Sequence, residues 1–269
     1  MSEEEKKTEE AQEKAEEPLK KEKEEVEIVA EKTDKKDTQK EGTKKKRRWQ
    51  EKTREEVIEA WDPKTKLGKD VKNEKITDID NILEDNRKIL EPEIVDSLLV
   101  LKSDLVSIGQ SKGKFGGGKR RAWRQTQRKT KEGNVPTFST LAVVGDEDGH
   151  VGIGSGRAKE TLPARDKAIR KAKLNIIKVK RDCSSFDCAC SEPHTVPFKV
   201  TGKTGSVKVT LIPAPQGTGL AVADELKKIL KLAGIKDVYS KTSGRQRTTF
   251  NFVKACINAL EKTNPGDKK

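Results

Sequence analysis

The sequence predicts an α+β protein: two small α+β domains behind a charged extension. Three observations predict it. Only 31% of the 269 residues are hydrophobic while 38% are charged, so a folded core must be confined to part of the chain. Apolar alternation of period two gives way to helical stripes twice in succession, after Leu105 and again after Thr195. The charge is divided, with a net −6 over residues 1–43 and +19 over the remainder.

Residues 1–46 are mostly Glu, Lys, Thr and Gln. They offer too little apolar surface to offset the entropy of ordering and predict a disordered charged tail. Lys44-Lys45-Lys46-Arg47-Arg48-Trp49 closes it with a basic cluster and an aromatic, suited either to phosphate docking and base stacking or to a solvated junction. Residues 47–100 predict a helical extension wrapping the body. Val57, Ile58 and Trp61 fix one helical turn, and Ile76, Ile79, Ile82 and Leu83 recur at helical spacing. Pro92 sits near the first position of a further helix, where its missing N–H does no harm, with Ile94, Val95, Leu98 and Leu99 as the buried stripe.

Residues 101–181 predict the first domain, a three-stranded antiparallel sheet followed by a basic helix. Leu105–Ile108 reads as a strand, 110–136 as a polar loop, Phe138–Val144 as the second strand, Asp146–Gly149 as a tight turn, and Val151–Ile153 as the start of the third. A helix from Thr161 to Val179 buries Ala168, Ile169, Ala172, Ile176 and Val179. It turns Arg165, Lys167, Arg170, Lys171, Lys173 and Lys178 outward. Residues 182–195 are a Cys/His connector. Residues 196–265 form the second domain: strands Val196–Val200 and Val207–Leu211 around the turn Thr201–Gly205, then a stop at Pro213 and Pro215. A helix through Val222, Leu226, Ile229, Leu230 and Ala233 stops at Gly234, a short strand spans Asp237–Ser240, and Thr248 or Thr249 caps a last helix buried through Phe252, Val253, Cys256, Ile257 and Leu260.

This layout bounds the function. No apolar run of about 18 residues exists to span a membrane, and the Glu-dense start is unlike a secretory leader. A cytoplasmic protein with no membrane partner is expected, and no disulfide framework among the four Cys. An excess of +19 points to a polyanion, above all nucleic acid; solubility alone does not require it. The densest motif is Gly149-His150-Val151-Gly152-Ile153-Gly154-Ser155-Gly156-Arg157-Ala158-Lys159. Alternate glycines would let a polyanion approach a strand backbone, with Arg157 and Lys159 supplying charge. A dinucleotide fingerprint needs a βαβ unit and a later acid, and a kinase glycine loop needs its catalytic Asp and Asn; neither set is present.

The whole string resembles the S-five family of small-subunit ribosomal proteins. In that family a strand ending in Val-Gly is followed by Gly-x-Val-Gly-x-Gly-x-Gly, Ala-Lys and a basic helix. Here these are Val144-Gly145, Gly149 to Gly156, Ala158-Lys159 and Lys167-Ala168-Ile169-Arg170-Lys171-Ala172. Gly202–Gly205, Pro213-Ala214-Pro215-Gln216-Gly217-Thr218-Gly219-Leu220, Leu232–Val238 and Asn251–Ala255 resemble its C-terminal domain. The resemblance spans about residues 60–263, and the cysteine segment with Pro193-His194 is similar to the archaeal and eukaryotic branch. It implies a double-stranded-RNA-binding-like first domain and a non-enzymatic, ribosome-bound role on small-subunit ribosomal RNA. It also implies a place near decoding and the path by which mRNA enters, support of accuracy and subunit assembly, and neighbours of the S-four and S-eight families.

On that reading the RNA-binding residues are Gly149, His150, Gly152, Gly154, Gly156, Arg157, Lys159, Arg165 and Lys171. To them a basic, Gly-rich insertion at 111–123 adds Lys112, Lys114, Lys119, Arg120, Arg121, Trp123 and, just after it, Arg124, as an RNA-penetrating finger or a solvated loop. No cofactor is required. Cys183, Cys188, Cys190 and His194 offer four soft or imidazole ligands for a possible zinc ion, although the spacing departs from paired C-x2-C and extended backbone would hold Cys188 and Cys190 apart. The other functional class is a small-molecule kinase. Pro215–Leu220 superficially resembles the phosphate loop of galactokinase-like enzymes, but Ala221, Val222 and Ala223 follow where hydroxyls would be needed.

Overall fold

A computed structural model describes residues 58–85, 87–110, 120–188, 190 and 192–264. The N-terminal tail and the Lys44–Trp49 cluster lie outside the described residues. Three short helices come first: α1 (Lys66–Lys72), α2 (Ile79–Glu84) and α3 (Pro92–Leu98). Thr65 caps α1, its hydroxyl accepting from Gly68 N–H at 3.0 Å, and Pro92 opens α3. The Glu91 carboxylate gathers three donors, Trp61 Nε1 at 2.9 Å, Lys64 N at 3.0 Å and Thr65 N at 2.8 Å. Their apolar faces close over Trp61, Val71, Ile79, Ile82, Ile94 and Val95.

The first sheet contains β1 (Lys102–Leu105), β2 (Trp123–Thr130), β3 (Gly133–Gly145), β4 (His150–Ala158) and β5 (Ile176–Lys178). All pairings are antiparallel. β3 is the spine: its end, Ala142–Gly145, pairs with β1, its start, Gly133–Thr140, pairs with β2, and β4 lies along its other edge. Helix α4 (Thr161–Leu174) covers one face. The second sheet has the order β6 (Val200–Thr204), β7 (Val207–Pro213), β9 (Val238–Ser243), β8 (Leu220–Ala221), with β8 and β9 parallel. Helices α5 (Asp224–Leu232) and α6 (Thr249–Glu261) complete it. One continuous core runs from Val106, Leu141, Val143 and Val151 to Leu226, Ile229, Val253 and Ile257, so the two sheets share their interior.

Several elements differ from expectation. The 110–136 segment is not a single loop, because Trp123–Thr130 forms β2. This strand is almost wholly exposed, so no apolar alternation marks it; backbone pairing with β3 holds it. The basic helix ends at Leu174 instead of Val179. Asn175 leaves helical geometry, and the β-branched pair Ile176-Ile177 turns back to pair with β4. The first strand lies three residues earlier than Leu105–Ile108. The strand expected at Val196–Val200 begins only at Val200, after Pro197, and its turn moves to Gly205-Ser206. Gly234, at φ 76°, does stop α5. Thr248 is the residue before α6, but its hydroxyl donates to Arg245 O and does not cap the helix.

Helix α4 meets β4 backbone to backbone. A Cβ on Gly152, Gly154 or Gly156 would fall 2.3, 2.2 or 2.0 Å from the carbonyl oxygens of Ala172, Ala168 and Ala164 respectively. The Thr140 hydroxyl donates to Ala164 O at 2.8 Å from beneath. Replacing Gly154 by Val is expected to destabilise the fold by about 3 kcal/mol or more, because the helix cannot retreat without opening the layer. Ser155→Ala, on an exposed neighbour, is expected to stay within about 0.5 kcal/mol. Urea denaturation of the two variants checks both.

Candidate nucleic-acid interface

The register of the first sheet builds a basic row on the face away from α4. Arg124 pairs with Ser139, and Ser139 pairs with Arg157, so the three side chains share one face across β2, β3 and β4. Both arginines are exposed, and neither has an ion-pair partner among the described residues. Thr126 pairs with Thr137 and Arg128 with Val135, which continues the row toward the hairpin tip.

β5 covers only His150–Gly152 of β4. Beyond it the outer edge of β4 borders a cleft of about 610 Å³ lined by Ser139, Ser155, Arg157, Lys167, Arg170, Lys171 and Phe250. Arg157–Lys173 contains seven basic and two acidic residues, and Arg120–Lys131 six basic and none acidic. Lys159, Arg165 and Lys171 are exposed, Lys171 on the wall of this cleft. A strand edge with free backbone N–H groups beside Lys and Arg is suited to phosphate oxygens, which position a nucleic acid without reading its sequence.

The insertion begins and ends at a defined neck. Gly109 N donates to Arg121 O at 2.8 Å and Arg121 N to Gln110 O at 3.2 Å. Lys112, Lys114 and Lys119 lie outside the described residues. Arg120 reaches Glu225 at 3.5 Å, and Arg121 is exposed. Trp123 belongs to β2 and not to the finger; it is 38% exposed, on the α4 side opposite Thr140.

Five of the residues expected to contact RNA meet neighbours within the protein. Gly152, Gly154 and Gly156 face α4, so the helix occupies the space a polyanion would need; their role is close packing. Gly149 is buried in the turn, with its carbonyl accepting from Val179 N at 2.7 Å. His150 is a pin. Its Nδ1 lies 2.5 Å from Asp146 Oδ2 and its Nε2 2.8 Å from Asp80 Oδ1, which ties α2 to the sheet. Lys178 joins the cluster at 2.8 Å from Asp80 and 3.0 Å from Glu84. Burial opposes a charged imidazole here, but hydrogen bonds and charge from Asp146 and Asp80 prevail and raise the His150 pKa. Burial likewise opposes ionisation of Asp80 and Asp146, yet Lys178 and His150 at Asp80, and His150 with backbone N–H groups at Asp146, hold both below the usual carboxylate value. Residues the sequence pattern does not reveal are Arg128 and Ser139, whose placement depends on β2, and Lys167 and Arg170 as walls of the cleft.

The connector brings its four ligand candidates together. Cys188 Sγ lies 3.0 Å from Cys190 Sγ and 3.6 Å from His194 Nε2, and Cys190 Sγ lies 3.3 Å from Cys183 Sγ. Cys188 and Cys190 therefore converge more closely than the roughly 6.6 Å that would separate alternate positions along one face of an extended strand. The Cys190 side chain, with backbone N–H groups of Cys190 and Gln216, brings the Cys188 thiol down to about 6.

Two family models match, Ribosomal protein S5, N-terminal domain, over residues 122–180, and Ribosomal protein S5, C-terminal domain, over residues 202–267. The small ribosomal subunit protein uS5 of Nanoarchaeum equitans is 52% identical over 206 residues, covering 76% of this chain and 88% of the relative. The uS5 proteins of Hyperthermus butylicus and Methanocaldococcus jannaschii are 48% and 46% identical, each over 77% of this chain and over 92% and 89% of their own lengths. The chain belongs to the ribosomal protein S5 family. The N-terminal match begins at Ala122, directly after the neck of the insertion. The connector with its three cysteines falls between the two S5 matches. Membership of this family makes the chain a structural protein and not an enzyme, and the kinase-like loop agrees. Gly219 N–H, which a phosphate loop would offer to its ligand, donates to Asp237 Oδ1 at 2.7 Å. Among the described residues no helix is long and apolar enough to cross a membrane.

The His150 cluster sets a pH window. His150 is raised above its ordinary 6.5, so its contribution is complete below that value and lost as pH climbs through the raised one. Asp80 and Asp146 are lowered below 3.8, so theirs is complete above 3.8 and lost as pH falls. Urea denaturation of the wild type and His150→Gln at about pH 5.5 and about pH 9 is expected to show a larger stability gap at the lower pH.

Proposed function

We propose that this chain is a structural, RNA-binding constituent of the small ribosomal subunit, holding folded ribosomal RNA against the Arg124–Ser139–Arg157 row and the basic edge of α4. The observation that carries this reading is the exposed arginine row, set on rigid strands beside an open strand edge. Lys and Arg there neutralise phosphates brought together by the RNA fold, and the hydroxyls of Ser139, Thr126 and Thr137 suit 2′-hydroxyl and phosphate oxygens. Lys159, Arg165 and Lys171 extend the surface along α4. Lys112, Lys114, Lys119, Arg120 and Arg121 add positive charge at the insertion, which leaves the sheet at the β2 end of the same row. The same reading places the protein near decoding, beside the path by which mRNA enters, in contact with neighbours of the S-four and S-eight families, and supporting accuracy and subunit assembly.

The test is RNA binding by the purified chain as salt is varied. Each lost phosphate contact lowers the slope of log affinity against log salt by about 0.7–0.9. Arg124→Gln, Arg157→Gln and Lys171→Gln together are expected to lower it by roughly 2–3, with unchanged thermal stability because all three side chains are exposed. In cells the tagged chain is expected to sediment with the small subunit and crosslink through these residues. A chain that binds RNA but stays at the top of the gradient would instead be a free RNA-binding regulator.

A further inference from the structure

We propose that Cys183, Cys188, Cys190 and His194 form a structural zinc site that locks the connector between the two sheets. The four ligand atoms lie within 4.8 Å of one another. Zinc bound at about 2.3 Å to sulfur and about 2.05 Å to nitrogen in a tetrahedron sets sulfurs about 3.8 Å apart and sulfur to nitrogen about 3.6 Å. The Cys188–His194 separation of 3.6 Å matches that geometry, and the sulfur separations of 3.0 and 3.3 Å fall about 0.8 and about 0.5 Å short of the tetrahedral value, a gap that side-chain rotation closes. Both are far from a disulfide bond of about 2.05 Å.

The imidazole supplies an independent argument. His194 is 1% exposed, and its Nδ1 lies 2.9 Å from Asp237 Oδ2, itself buried, close enough for charge to act though not aligned as a hydrogen bond. A carboxylate behind one ring nitrogen favours the proton there and leaves the other nitrogen's lone pair free. That other nitrogen, Nε2, is the one facing Cys188. Asp237 is in turn fixed by Gly219 N–H at its second oxygen. Three thiolates and one neutral imidazole fill all four positions, so the site is closed and structural, without an open position for catalysis. The ligands must be thiolates, so each cysteine still protonated gives its proton to solvent on binding, and no electrons move.

The connector has much to gain from being fixed. Asp182 and Thr195 pair through both backbone groups at 2.9 and 3.0 Å, closing the loop that carries the cysteines. His194 O accepts from Lys236 N and Asp237 N, which joins it to the start of β9. Arg181, one residue before the loop, donates to Gly234 O and to the Asp148 side chain, so it ties the end of α5 to the β3–β4 turn. A zinc ion would bind the loop's tip to an arrangement already held at its base.

The test uses the full chain purified under reducing conditions without added metal. Elemental analysis is expected to give one zinc per chain. Chelator is expected to remove it, expose three thiols to a thiol reagent and lower Tm by at least about 5 °C. Cobalt in place of zinc is expected to show the absorption of a tetrahedral site with three sulfur ligands and one nitrogen. Asp237→Asn, as a positioning change, is expected to weaken zinc by about 10–100-fold while leaving the cobalt spectrum tetrahedral. Cys188→Ser is expected to lose zinc, and cobalt titration of the metal-stripped wild type keeps the test decisive if that variant does not fold. Zinc-free protein with three freely reactive thiols, a chain about 2 Da lighter through a Cys188–Cys190 disulfide, or iron or copper in place of zinc would each overturn the assignment.

Discussion

Helix α4 rests on strand β4 with nothing between the two backbones, and the rest of the first domain is arranged around that contact. Three glycines at every second strand position face three alanines at every fourth helix position. Two strand residues advance about 6.6 Å and four helix residues about 6 Å. The repeats are therefore nearly commensurate, and the helix can lie along the strand for three successive contacts. The same device recurs on a smaller scale in the second domain, where a Cβ at Gly202 would lie 2.0 Å from Ala255 O of α6. Once α4 is seated through its alanines, its Lys and Arg positions can only face outward, and β4 beyond Gly152 is left with an open edge beside them.

Acidic side chains hold elements together at one end of the sheet, which leaves the basic ones free elsewhere. Lys173 meets Asp96 of α3 at 2.6 Å, and Lys178 meets Asp80 and Glu84 of α2. His150 is enclosed by Asp80 and Asp146. These contacts gather at the β5 end of the sheet, where α1 to α3 pack. The β2 and β4 ends hold Arg124, Arg128 and Arg157 with few acids near them. The charge excess is thus sorted along the sheet by where the extension helices dock.

The legibility of this arrangement in the sequence follows its physics. The α2 and α3 stripes, β7, α5 with its Gly234 stop, and α6 all bury one face, so their periods are visible. Strand β2 is not, because a strand exposed on both faces carries no apolar alternation and exists only through its hydrogen bonds to β3. Ile176 and Val179 continue the helical spacing by coincidence, and Asn175 with two β-branched residues ends the helix first. The glycine motif is plain in the sequence but its neighbour is not the expected one, since spacing alone cannot say whether a bare strand face meets a ligand or a helix; the alanines at 164, 168 and 172 are the available signal. His150 and the Asp237 partner of His194 depend on contacts 70 and 43 residues away in sequence, which no local pattern encodes.

A rigid scaffold matters more here than any single contact. Side chains that are already held in one geometry lose less freedom when they bind, and the arginine row stands on three paired strands whose opposite face is clamped by α4. The shared core extends that rigidity to the second sheet, so both halves present one surface. Two segments of distinct composition join this core, the insertion that follows Gly109 and returns at Arg121, and the connector after Arg181. The insertion is rich in Lys, Arg and Gly, a composition suited to a polyanion. The connector is rich in Cys with a buried His, a composition suited to taking its shape from a metal. Each of the two thus carries a chemistry that the packed core lacks.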